Sequence, residues 1–287
     1  MHTIRAAVTA LTSCLALAAV AADSATGPVA SAITIAKADS AAPTPAPLTA
    51  EQIVDRSVEV RGGLQAWRKI ETSIWVGHIE TTHSPVPSLP FKLEQKRPNK
   101  SRFEINEPSQ RSVRVFDGIT GWKMHTGEDG RPDVKKFSSE EMRFAREAPG
   151  MEGPLIDYRA KGGAVELEGN EDVDGHAAYR IGLRLASGER QKIWIDTQTF
   201  LELRYDRATR GQGGAPGAMS IRYRDYKEVE GLVVPSVLEV SAAGGAKPDR
   251  MIIERVALNP PIDDREFSGL DSTRSGPVPG ASATPKR

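Results

Sequence analysis

From about Ile74 to Leu258 apolar and polar residues alternate with a period of two, interrupted at short intervals by glycine-containing breaks. The clearest stretch runs from Arg114 to Met124 around Asp117-Gly118. Asp-Gly between alternating runs is a hairpin signal, because glycine adopts the positive φ that the turn requires. The same grammar recurs at Val173-Asp174-Gly175-His176, Ala186-Ser187-Gly188-Glu189, Ile195-Asp196-Thr197-Gln198-Thr199 and Val229-Glu230-Gly231-Leu232. Turns of this kind, repeated along the chain, predict an antiparallel meander.

The alternation assigns residues to faces. Phe91, Leu93 and Gln95 share one, with Lys92, Glu94 and Lys96 opposite; Phe103 and Ile105 oppose Arg102 and Glu104; Val113, Val115, Trp122 and Met124 continue the pattern. Further on come Tyr179, Ile181, Leu183 and Leu185, then Ile193 and Ile195, then Leu201, Leu203 and Tyr205, then Met219, Ile221 and Tyr223. The runs Val234 to Val240 and Met251 to Leu258 complete the ladder. Polar residues on the alternate positions leave one side of the sheet wet. A meander this long curls, because strand twist accumulates and closure removes exposed edges. The expected fold is mainly β, a curved antiparallel sheet forming a half-open barrel.

Helical patterns appear in two places. Thr49-Ala50-Glu51-Gln52 is a capping box followed by Ile53, Val54 and Val58 on one face; Gly62-Gly63 ends that helix, and Leu64, Trp67 and Ile70 share a face of a short second one. Trp67 is expected to pack these helices onto the sheet. In mid-chain, Ser138 to Arg146 has a serine cap and early acids, and Gly153 to Arg159 suits another short helix. This pair is predicted to lie over the open sheet face as an α-helical lid or plug.

The chain ends read differently. Arg5 followed by the apolar run Ala6 to Ala22, ending in small residues around Ala19-Val20-Ala21, has the form of a cleaved secretory signal over residues 1–22. An exported protein of a bacterium would then reside in the periplasm. Leu11-Thr12-Ser13-Cys14 offers the alternative of a lipoprotein box, with Cys14 acylated and the protein anchored to a membrane, although the apolar run continues past it. Residues 23–48, rich in Ala, Ser, Thr and Pro, and the tail 271–287 have too little bulk to offset ordering entropy and are expected to be disordered. The folded domain is therefore assigned to residues 49–270.

Charge and chemistry narrow the function classes. The 38 basic residues match 38 acidic ones, and loss of Arg5 with the signal leaves 37 against 38. Nucleic acid is excluded as a partner on this balance, since phosphate neutralisation requires a basic surface. Cys14 is the only cysteine, so the mature chain has neither disulfide nor thiol chemistry. His78, His83, His125 and His176 show no metal-ligand spacing, and no nucleophile elbow or phosphate loop occurs. Asp263-Asp264-Arg265-Glu266 reads as a charged exit turn. Pro85-Val86-Pro87-Ser88-Leu89-Pro90 reads as a proline-stiffened loop with apolar residues at its tip. No catalytic residue, metal or cofactor is expected.

Four short segments carry a family resemblance: Arg61-Gly62-Gly63-Leu64-Gln65-Ala66-Trp67, Lys96-Arg97-Pro98-Asn99-Lys100-Ser101-Arg102, Phe116-Asp117-Gly118 with Gly121-Trp122, and Asn259-Pro260-Pro261-Ile262-Asp263. Over residues 50–268 the chain resembles the LolA/LolB-like lipoprotein carriers of the outer-membrane sorting system. The resemblance implies a half-open barrel with a helical lid and a cavity for lipoprotein acyl chains or a similar amphiphile. It implies as partners an acyl-bearing lipid or lipoprotein and envelope membrane proteins, with the protein acting as a monomer. The functional arginine of those carriers has no matching motif in this chain. The cavity-lining candidates are Phe91, Leu93, Phe103, Ile105, Val113, Val115, Trp122, Met124, Ile181, Leu183, Ile193, Ile195, Leu203, Tyr205, Ile221 and Tyr223. The alternative function is a regulatory or scaffold module of the cell envelope that binds a protein.

Overall fold

The computed structural model of the protein describes residues 47–82, 84–107, 110–126, 129–210, 216–242 and 247–269. The signal, the lipoprotein box at Cys14, nearly all of the linker and the tail lie outside these residues, as does His83.

Two helices, α1 (Ala50–Val60) and α2 (Leu64–Arg68), precede the strands β1 (Thr72–Glu80), β2 (Ser88–Lys96), β3 (Lys100–Asn106), β4 (Arg111–Phe116), β5 (Gly121–Thr126) and β6 (Pro132–Lys136). Helix α3 (Ser139–Arg146) follows. The chain then builds β7 (Ala164–Val173), β8 (His176–Arg184), β9 (Arg190–Asp196), β10 (Glu202–Arg210), β11 (Pro216–Val229), β12 (Leu232–Ala242) and β13 (Asp249–Leu258). All 13 strands form one antiparallel sheet in the order β6-β5-β4-β3-β2-β1-β13-β12-β11-β10-β9-β8-β7. The chain thus starts at the middle of the sheet, walks out to the β6 edge, crosses through α3 to the β7 edge and returns to pair β13 with β1. Because β6 and β7 are not paired with each other, the curved sheet stays half open, and the crossing segment covers the opening.

The turns anticipated from glycine fall between consecutive strands. At β7–β8, Asp174 and Gly175 have φ of 54° and 86°, and at β11–β12, Glu230 and Gly231 have 50° and 82°. Positive φ at both central residues matches the right-handed twist of the flanking strands.

The capping box of α1 forms as read: Gln52 N–H donates to Thr49 Oγ1 at 3.3 Å, and Thr49 N–H donates to Gln52 Oε1 at 2.9 Å. Ile53 and Val54 are fully buried against Ile181, Leu183, Ile193 and Ile195 of the sheet. Burial of such a side chain contributes about 1.5–3 kcal/mol, so α1 is held by this stripe rather than by helix propensity. Trp67 of α2 sits in a second cluster with Trp75, Phe91 and Ile105, and its Nε1–H donates to the Arg61 carbonyl at 2.9 Å.

The four segments behind the family resemblance are staples between elements. Gly62 (φ 105°) lies so close to the β11–β12 turn that a Cβ there would overlap the Gly231 carbonyl. Arg97, next to a cis Arg97–Pro98 bond, donates to the carbonyls of Ile70 (2.7 Å) and Trp67 (3.1 Å) at the end of α2. Gly121 presses on the Phe137 ring. The Asn259 side chain accepts from Glu71 N–H at 2.7 Å and donates to the Lys69 carbonyl at 3.2 Å, tying β13 to the entrance of β1.

Three expectations are corrected. Residues 153–159 form consecutive turns, not a helix, because Gly153 and Asp157 take left-handed φ of 92° and 59°. Their side chains still plug the barrel, with Ile156 in the Trp67 cluster and Leu155 and Tyr158 beneath α1. The proline-rich segment is not an apolar tip: Leu89 and Pro90 belong to β2, and Leu89 is buried in the same cluster. The third correction concerns faces. Phe103 pairs with Arg114 and Glu104 with Val113, so Val113 and Val115 point to the opposite side of the sheet from Phe103.

Candidate functional site

Beneath α3 the concave face encloses a cavity of about 320 Å³, within the range of about 300–1,000 Å³ typical of small-molecule sites. One wall is built by β1 to β3 through Trp75, Phe91, Leu93 and Phe103, and the other by β10 to β13 through Tyr205, Ile221, Leu238 and Ile253. Register explains why these side chains meet. Trp75 pairs with Leu93, Leu93 with Phe103, Tyr205 with Ile221 and Ile221 with Val240, each pair on the inward side of its strands. Phe91 and Phe103 stack obliquely at 5.8 Å between ring centroids. A second cavity of about 220 Å³ shares Leu93, Phe103 and Phe144 with the first and continues toward β4.

The cover is polar in its attachments. No residue of α3 is buried. Glu141, which also closes the capping box with Ser138, receives Arg114 at 3.0 Å and Lys123 at 2.9 Å from β4 and β5. Burial opposes its ionisation, yet the hydrogen bonds from Lys123 and the Ser138 backbone and the Arg114 charge outweigh that and hold its carboxyl below the ordinary 4.5. On the far side, the Arg207 guanidinium lies 3.8 Å over the Phe144 ring and 3.9 Å from the Glu147 carboxylate. Helix α3 therefore bridges β4–β5 and β10 across the opening, with Phe144 turned into the cavity.

At the floor, Arg61 and Glu202 form a buried ion pair at 3.2 Å, with side-chain exposures of 5% and 3%. Arg61 Nε also donates to the Val233 carbonyl at 3.3 Å, and its guanidinium stacks 5.0 Å from the Trp67 ring. Burial pushes the Glu202 carboxyl above its ordinary value, against the pull of Arg61.

The candidate residues separate into groups. Phe91, Leu93, Phe103, Tyr205, Ile221 and Tyr223 line the larger cavity. Ile105 is packed in the adjoining core beside Phe91. Ile181, Leu183, Ile193 and Ile195 lie on the concave face but are covered by α1 and Leu155. Val113, Val115, Trp122 and Met124 form a cluster with Phe267 and Ile262 on the opposite face, where the C-terminal turn Asp264–Phe267 folds back; Val115 also borders the second cavity. Leu203 packs on Trp194, Val173 and Ala178, because a bulge between Glu202 and Arg204 turns it outward and brings Glu202 in.

Arg61, Glu202, Arg207 and Phe144 were missed. Arg207 was legible, since the period of two from Tyr205 places it inward; Glu202 was not, because no residue pattern announces the bulge.

The remaining chemistry is dispersed. His78 bonds Glu254 at 2.8 Å, His125 bonds Ser112 at 3.1 Å and His176 bonds Asp196 at 3.1 Å, on three separate parts of the sheet. Asp264 is ion-paired with Lys96 at 2.8 Å and Lys100 at 3.2 Å, as suits a structural exit turn. Among the described residues no cluster of His, Cys, Asp or Glu is arranged to hold a metal ion, and no helix is long and apolar enough to cross a membrane.

No family model matches the chain, and no curated protein matches it. The chain is similar to several solved structures. A LolA superfamily protein from Nitrosomonas europaea is 14% identical, covers 78% of this chain and 99% of its own, and gives a TM-score of 0.49. A DUF1329 family protein from Desulfovibrio piger is also 14% identical, covers 76% of this chain and 97% of its own, and gives 0.49.

Proposed function

We propose that the protein is a non-catalytic carrier of the cell envelope that holds the acyl portion of a lipoprotein or another amphiphile in the cavity beneath α3. The observation that carries this reading is the cavity itself: about 320 Å³ walled by aromatic and aliphatic side chains, under a cover attached by ion pairs. Each methylene moved from water into such a space contributes about 0.8 kcal/mol, so ten of them contribute roughly 8 kcal/mol before ordering costs. No charged partner is needed for that gain. Export by a signal over residues 1–22 places the carrier in the periplasm; acylation at Cys14 instead anchors it to a membrane.

The test uses delipidated mature protein and a fluorescent long-chain acyl probe. Wild type is expected to take up the probe saturably, and Phe103→Asp to abolish uptake, since it sets a carboxylate into the apolar wall. Trp122→Ala removes comparable apolar bulk from the other face and is expected to leave uptake intact. Absence of saturable uptake by the wild type sinks the reading; retention of a protein partner after delipidation would then favour the scaffold alternative.

A further inference from the structure

Besides Glu202, which Arg61 holds, strand β10 sends Tyr205 and Arg207 into the cavity, two residues apart on the same face. Both are almost wholly shielded from solvent, at 0% and 4% exposure. Arg207 Nε has no hydrogen-bond partner, the Tyr205 hydroxyl has none to donate to and only the Arg207 guanidinium beside it, and Gln191 Nε2, directly across the strand pair from Arg207, has none either. Three unpaired groups able to donate, gathered in one place, lack an acceptor. Buried polar groups are ordinarily paired, and a buried donor without a partner is costly to maintain. The cavity's other arginine is already engaged, since Arg61 meets Glu202 and the Val233 carbonyl. The acid nearest Arg207 is Glu147, at 3.9 Å, beyond hydrogen-bond reach.

We infer that Tyr205 and Arg207 form an anion subsite that seats the free carboxylate of a long-chain acyl ligand, with its hydrocarbon tail running along Leu93, Phe103 and Ile221. This rests on the carrier reading and names its ligand class. A carboxylate matches the planar guanidinium fork and accepts from Nε and the phenol together. The Tyr205 hydroxyl keeps its proton, because burial raises its pKa. The charge balance favours a single negative charge: Arg61 and Glu202 offset each other, which leaves Arg207 as the one cation with Glu147 beside it, and a dianionic phosphate would exceed that charge.

The test compares palmitic acid with its methyl ester by calorimetry on full-length protein freed of lipid, below the concentration at which either aggregates. A charge-assisted hydrogen bond is expected to favour the acid by about 10- to 100-fold. Arg207→Gln should erase that preference, so that the ratio of acid to ester affinity falls to about one even if both bind more weakly through a loosened α3. Tyr205→Phe, which preserves the ring and so the wall, should narrow the acid-over-ester preference several-fold; it also serves should the arginine variant fail to fold. Equal binding of acid and ester by the wild type overturns the subsite and leaves the carrier reading standing. Binding of neither overturns both.

Discussion

Replacing Arg61 with Met keeps the bulk of the side chain but leaves Glu202 buried without its cation. The consequence depends on pH. A carboxyl with an ordinary value of 4.5 that must stay neutral in the folded protein costs about 1.36 kcal/mol for each unit by which the pH exceeds that value. This comes to at most about 3.4 kcal/mol at pH 7 and about 0.7 kcal/mol at pH 5 relative to the wild type, in which burial already raises the Glu202 carboxyl and so takes up part of the cost. The sign follows from proton counts: above 4.5 the folded variant holds a proton that the unfolded chain has released, so its stability falls as pH rises. Loss of the bond to the Val233 carbonyl and of the stacking on Trp67 adds roughly 1–2 kcal/mol at either pH. Urea unfolding followed by tryptophan fluorescence should therefore find Arg61→Met destabilised by up to about 4–5 kcal/mol at pH 7 and by less, about 2 kcal/mol, at pH 5. Adding Glu202→Gln should remove the pH-dependent part. An equal loss at both pH values would refute the reasoning, since it would mean that Glu202 finds water or another partner once Arg61 is gone.

Two further predictions concern the sheet and its cover. Gly77 lies at the irregularity between β1 and β13, where a Cβ would overlap the Ile252 carbonyl; Gly77→Ala should cost about 3 kcal/mol, and an unchanged melting temperature would contradict the close approach. Glu141→Gln should release a bound acyl probe about five- to tenfold faster in stopped-flow displacement, because one carboxylate holds α3 to both Arg114 and Lys123. Since the folded Glu141 carboxyl titrates below 4.5, wild type should hold its probe above that pH and lose the clasp as pH falls through the folded value. A release rate indifferent to the substitution would show that α3 does not gate the cavity.

The meander, its half-open curvature, the capped first helix and the covering helix were legible because each is written in local sequence: a period of two, Asp-Gly turns, a capping box, a serine cap. The two cavity walls were legible where one strand supplies them, as at Phe91 and Leu93 or Ile221 and Tyr223. What failed was carrying a face from one strand to the next. Phe103 and Val113 look alike in sequence, yet the pairing of Phe103 with Arg114 sets them on opposite sides, and a register shift by one residue moves every side chain to the other face. The bulge at Leu203 does the same within a strand. Segment 153–159 misled for another reason: its apolar residues satisfy a helical period, but they are pinned into two different clusters by left-handed residues at Gly153 and Asp157. The Arg61–Glu202 pair spans 141 residues of chain, and no local pattern joins its halves.

Native mass spectrometry of the protein purified without detergent from its own envelope fraction reads the cavity's contents outright. The wild type should carry a bound mass that organic extraction releases as an acyl-bearing amphiphile and that is missing from Phe103→Asp; a wild-type protein that runs at its bare mass, and stays there after incubation with acyl lipids, is no acyl carrier.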